Sequence, residues 1–248
     1  ALITAGRNRI AKSLERGVSA GKVTERERDR ALDKLTFTTN LSDLADRQLV
    51  IEAIIEDEAV KAKVFAELDR VVTDPEAVLA SNTSSIPIMK IAAATKNPQR
   101  VLGLHFFNPV PASQLVEVVV GDATDPGIVD AAQGWVAALG KTAVTARDSP
   151  GFASSRLGLV IGLEAIRMLE EGVASADDID AAMVFGYKYP LGPLRLADIV
   201  GLDVRLGIAE YLHAHLGERF APPQLLRDKA AAGDMGGQSR EGLFDGAG

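Results

Sequence analysis

Gly103-Leu104-His105-Phe106-Phe107-Asn108-Pro109 is the stretch that decides how this chain folds. The run leading to Phe107 is almost wholly apolar apart from His105. Pro109 and Pro111 stop it, because proline cannot donate to a sheet ladder. His105 therefore falls near the carboxyl end of a strand, the edge where open α/β sheets bind ligands, and imidazole is the side chain that titrates near neutral pH. A second apolar run, Leu115-Val116-Glu117-Val118-Val119, carries a carboxylate. Glu117 can bond the distal ring nitrogen, fix the tautomer and favour the imidazolium, which leaves the other nitrogen to take a proton from a substrate hydroxyl. The plainer readings are a hydrogen-bonded core histidine and a glutamate that points at water.

Outward from this centre, apolar spacing predicts alternating elements. Residues 3–19 read as a helix with Ile10, Leu14 and Val18 recurring every four positions, and 24–35 as a second, charged helix. Strands are expected at 49–55, 78–80, 101–107 and 142–145. Helices are expected at 57–72, with Val60, Val64, Leu68 and Val71 facing inward, and at 86–94 and 127–139. Such alternation is the pattern of a parallel sheet with crossover helices. It ends at Asp148-Ser149-Pro150-Gly151. Beyond lie a long helix over 152–171, a capped start at Ser175-Ala176-Asp177-Asp178 and a loop at Tyr189-Pro190-Leu191-Gly192-Pro193. The expected fold is a Rossmann-type sheet domain over 1–148 followed by an all-α domain over 149–248.

Composition narrows the function classes. A net charge of −7 argues against a nucleic-acid binder, and the apolar stretch 157–163 is far shorter than the roughly 20 residues that cross a bilayer. The chain has no cysteine, which excludes disulfides and thiolate chemistry and is compatible with a cytoplasmic location. His213 and His215 do not share a helix face, so no metal site is expected there. Residues 1–22 carry Arg7, Arg9, Lys12, Arg16 and Lys22 against Glu15 alone, a local positive excess suited either to phosphate groups or to a solvated helix face.

Four stretches, Ala80-Ser81-Asn82-Thr83-Ser84-Ser85, His105 to Pro111, Leu115 to Val118 and Asp148-Ser149-Pro150-Gly151-Phe152, resemble the L-3-hydroxyacyl-CoA dehydrogenase family in wording, order and spacing. Its bacterial 3-hydroxybutyryl-CoA branch is the most similar. The resemblance spans essentially the whole chain. It implies hydride transfer between C3 of a short-chain L-3-hydroxyacyl-CoA and NAD, with His105, Glu117, Ser84 and Ser155 as catalytic residues. Ser155 stands where the family usually has asparagine. It further implies cofactor contacts at Ala53, Glu56, Lys61, Ser84 and Asn108, coenzyme A contacts at Ser13, Lys22 and Ser84, and a homodimer formed through the helical half. Near the end, Gln238 departs from the family's lysine.

The Gly-x-Gly-x-x-Gly that opens a dinucleotide-binding fold, and the ribose-holding acid after it, do not occur in these 248 residues. The expectation is therefore a Rossmann-type domain lacking its first β-α-β segment. Two alternatives stay open on sequence alone. One is a catalytically silent binding or structural relative, and the other is a different nicotinamide-dependent hydroxyacid dehydrogenase of the same architecture.

Overall fold

The computed structural model describes residues 2–236 and 242–244, so Gln238 lies outside the described residues. In chain order its elements are α1 (Leu2–Ser19), α2 (Glu25–Asp33), β1 (Leu49–Glu52), α3 (Glu58–Val71), β2 (Val78–Ser81), α4 (Ile88–Ala92), β3 (Val101–Phe106), β4 (Leu115–Val120), α5 (Pro126–Ala138), β5 (Thr142–Arg147), α6 (Ser154–Glu170), α7 (Ala176–Ala181), α8 (Pro193–Val200), α9 (Leu202–Leu216) and α10 (Gln224–Ala232). Side-chain caps set several of the starts. Thr24, Asp57, Asp125 and Ser175 each accept a backbone N–H of the first turn that has no partner inside its helix.

Sheet order follows chain order, β1-β2-β3-β4-β5. The first three strands run parallel, as their crossover helices require. β4 then runs antiparallel to β3, and β5 parallel to β4. The sheet is thus dominated by parallel pairs, as the alternating pattern predicts, and the single reversal at β4 has a reason of length. Residues 107–114 are too few to carry a chain back across the sheet through a helix, so β4 turns directly alongside β3. Gly103 lets the pair close: a Cβ there would lie 2.8 Å from Val119 Cβ and 2.9 Å from Ile88 Cδ1.

Each face of the sheet is covered. Val50, Leu79, Val101 and Val119 pack with Phe65 and Leu68 of α3 and Ile88 and Ile91 of α4. The alternate residues Val78, Leu102, Leu104, Val116 and Val118 pack on Ile128, Ala132 and Val136 of α5. The expected inward face of α3 is rotated. Lys61, Phe65, Leu68 and Val71 are buried while Val60 is exposed, because Lys61 is drawn in by a buried carboxylate on β1. That carboxylate also shortens β1. Glu52 accepts the N–H of Ile54 at 2.6 Å, so the strand expected to reach residue 55 leaves the sheet after Glu52.

The helices after residue 152 enclose a separate core that includes Leu159, Leu163, Ile166, Leu194, Leu212 and Phe220. The segment that leads from one unit to the other is pinned to the sheet unit. Asp148 accepts the N–H groups of Ile88 and Met89, both at 2.8 Å, and Gly151 N–H donates to the Ser85 carbonyl. α1 and α2 pack on each other, tied by Arg28 to Glu15, and bury no residue fully. No helix among the described residues is long and apolar enough to cross a membrane.

Candidate active site

His105 and Glu117 are register partners across the β3–β4 pair, so their side chains emerge side by side on one face. The His105 Nδ1–H donates to Glu117 Oε2 at 2.8 Å, and both groups are buried. The glutamate does not point at water. Its Oε1 accepts the N–H groups of Ala153 and Ser154 at 3.1 and 2.8 Å, and its Oε2 accepts the Ser154 hydroxyl at 2.6 Å. Glu117 therefore caps α6 while holding the histidine. Burial pushes its carboxyl up, but the bonds from His105 and Ser154 outweigh that and hold it below the usual carboxylate range. A carboxylate so held stays ionised at neutral pH. It orients the ring and leaves Nε2 free to exchange a proton. The rings of Phe107 and Phe152, centred 4.4 and 5.9 Å from the imidazole, wall it in. Phe152 takes a positive φ of 49° to do so, a costly conformation for an aromatic residue.

His105 opens on a cavity of about 320 Å³ between the two units, where Ser84, Asn108, Ser154 and Ser155 also line the wall. The sequence reading placed His105, Glu117, Ser84, Ser155 and Asn108 at one site, and the structure brings these five together. Ser13 and Lys22, on and just after α1, do not line that cavity.

The first-strand acids and Lys61 form a second network. Lys61 is not a solvent-exposed charge. Its side chain is 1% exposed and its ammonium lies 2.7 Å from Glu52 Oε1 and 3.4 Å from Glu56 Oε2. It can act on a ligand only through those carboxylates. Glu52 also accepts the Ser81 hydroxyl at 2.7 Å. Glu56 accepts the Thr83 hydroxyl at 2.5 Å and the Ser84 N–H at 3.1 Å, and so fixes the loop that presents Ser84. Ala53 is exposed just beyond β1. The donor set at this edge fits the nicotinamide end of a dinucleotide. The Ser84 hydroxyl and the Asn108 amide line the cavity without a hydrogen-bond partner among the described residues, which matches a neutral carboxamide ring.

Three groups escaped the sequence reading. Ser154 had a signal, a serine at the start of a long helix. Arg205 had a clearer one: Leu202, Arg205, Ala209 and Leu212 recur at helical spacing, which puts an arginine on the buried face of α9. Glu52 had none, since an acid in an apolar strand ordinarily marks the wet face. His213 and His215 are bound to different partners, Glu218 and the Tyr211 carbonyl.

Comparison with known proteins agrees with this geometry. Residues 1–149 match the family model "3-hydroxyacyl-CoA dehydrogenase, NAD binding domain", and residues 151–246 match "3-hydroxyacyl-CoA dehydrogenase, C-terminal domain". The chain is 59% identical over 246 residues to a 3-hydroxybutyryl-CoA dehydrogenase of Mycobacterium tuberculosis, covering 98% of this chain and 86% of that one. The crystal structure of M. tuberculosis FadB2 superposes with a TM-score of 0.95 at 59% identity, covering 98% of this chain and 86% of that chain. That of (S)-3-hydroxybutyryl-CoA dehydrogenase from Ralstonia eutropha gives 0.92 at 37% identity with the same coverage. With both of its halves matched in order and the paired histidine and glutamate at the seam between them, the chain belongs to the 3-hydroxyacyl-CoA dehydrogenase family.

Proposed function

We propose that the protein interconverts a short-chain L-3-hydroxyacyl-CoA, such as 3-hydroxybutyryl-CoA, and its 3-ketoacyl-CoA with NAD(H). The observation that carries this reading is the buried His105–Glu117 pair opening on a cavity that also presents Ser84. Nε2 of His105 takes the C3 hydroxyl proton in the oxidation and returns it in the reduction. Ser84 donates a hydrogen bond to the same substrate oxygen. Ser155 replaces an amide with a hydroxyl and supplies one bond where asparagine would offer a paired donor and acceptor. Ala53, Glu56 and Asn108 border the nicotinamide side, with Lys61 acting through Glu56, and NAD when bound accepts the hydride from C3. Ser13 and Lys22, on the basic amino-terminal segment, meet the coenzyme A phosphates. The experiment is direct: NADH formation from L-3-hydroxybutyryl-CoA, and NADH loss with acetoacetyl-CoA. Failure of both directions would end the reading.

Glu117→Gln is expected to cut the rate, but less than loss of His105, because the ring loses the carboxylate that aims it and keeps its own proton-accepting nitrogen. Steady-state turnover of the variant checks this, and an unchanged rate would separate the two residues functionally.

The helical half is the proposed dimer surface of a cytoplasmic enzyme. Phe185, Tyr187 and Ile199 are 73, 75 and 62% exposed, an apolar display that a lone subunit would leave wet. Sedimentation should give about twice the 26.2 kDa chain mass, and Phe185→Glu with Tyr187→Glu should return it to one.

A further inference from the structure

Among the described residues Arg205 is a cation without an anion. It is 7% exposed, and its guanidinium crosses from α9 to α6, where Nη1 donates to the Gly158 carbonyl at 3.0 Å. The crossing is built for it, since a Cβ on Gly162 would lie 2.9 Å from Nη1. Gly158 and Gly162, one helical turn apart, leave the groove in which it lies. Yet its Nε has no partner, and no carboxylate among the described residues pairs with it. Burial alone pulls its proton affinity below the ordinary range, and no carboxylate opposes the pull. Arginine nonetheless stays charged in proteins, and a buried charge left unpaired is costly.

Arg205 and the Gly158 whose carbonyl its guanidinium meets both line the cavity of His105 and Ser84, and Leu159, Leu196, Val200 and Ile208 give that cavity an apolar wall. No carboxylate among the described residues lines that cavity. A neutral short acyl tail would fill the apolar wall and leave the cation uncompensated. A tail that ends in its own carboxylate would satisfy both.

We propose that Arg205 is a specificity-determining residue that pairs with a carboxylate at the far end of the acyl group, so that the preferred substrates are coenzyme A thioesters of 3-hydroxy dicarboxylic acids. The assignment rests on the acyl-CoA reading of the site and moves its preferred acyl group from the neutral butyryl chain to one that ends in a carboxylate. The planar guanidinium suits this task, because its donors meet a carboxylate in pairs.

Calorimetric titration with adipyl-CoA and hexanoyl-CoA tests it without requiring NAD. The two ligands have the same number of acyl carbons and differ in the terminal carboxylate. Adipyl-CoA should bind about tenfold or more tightly, the value of a charge-assisted bond pair. Arg205→Met should abolish the preference and Arg205→Lys should keep part of it. Equal or weaker binding of adipyl-CoA by the unaltered protein overturns the assignment, and this comparison needs no variant to fold. Free adipate is the third titrant, and binding as tight as that of its thioester would also overturn it, because the site would then read a free diacid. If neither thioester binds, the acyl-CoA reading itself falls and the assignment with it; the first result leaves that reading standing.

Discussion

His105→Gln should lower turnover of 3-hydroxybutyryl-CoA by about 10² to 10⁴ while leaving acyl-CoA affinity nearly unchanged. Glutamine keeps roughly the length of the side chain and can still meet Glu117, so packing among Phe107 and Phe152 is disturbed little. What it cannot do is accept and return a proton near neutral pH. The loss therefore belongs to the chemical step and should appear in kcat and kcat/KM together. Single-turnover measurement of the hydride step checks this, and a loss under tenfold would remove His105 from the chemistry.

Arg100→Met should destabilise the protein by about 3–5 kcal/mol, because it leaves a buried aspartate unpaired. Arg100 is 2% exposed. Its Nε and Nη2 both reach Asp69 Oδ1, at 3.1 and 2.8 Å, while other guanidinium bonds go to the carbonyls of Asp69, Val72 and Asp74. One side chain thus ties the end of α3 and the turn before β2 to the start of β3. For a chain of this size the melting temperature should fall by roughly 6–20 °C, read by thermal denaturation. A shift of only a degree or two would show that the network relaxes. Asp69 sets a matching pH dependence. Burial raises its carboxyl, but bonds from the Lys96 N–H and Arg100 outweigh this and hold it low. Its contribution is therefore present above the unfolded value of about 4 and disappears as pH falls through the lower folded value, and Glu117 acts in the same direction.

Much of the layout was legible because it is local. Helix starts follow from single capping residues, and the proline stop after Phe107 placed the histidine at a strand end. Orientation was less legible. Nothing in the apolar run 115–119 states that β4 reverses, and only the shortness of residues 107–114 bears on it. Charge burial was least legible. Lys61, Glu52 and Arg100 look like ordinary polar residues because the side chains that hold them in the interior, Glu52 for Lys61, Ser81 for Glu52 and Asp69 for Arg100, lie nine to thirty-one positions away, and only the folded chain brings them within 3 Å or so. The candidate site was readable through its short motifs, whereas Arg205 and Ser154 reach it from helices whose placement no motif announces.

The capping of α6 by Glu117 makes the boundary at residues 148–153 something other than a passive hinge. The carboxylate that aims the imidazole belongs to the sheet, while three of the groups that aim the carboxylate belong to the helical half. Two N–H groups and a hydroxyl from the far side of the seam therefore complete the very contact that aims the base. The reacting pair is in this sense shared property, assembled only where both lobes meet.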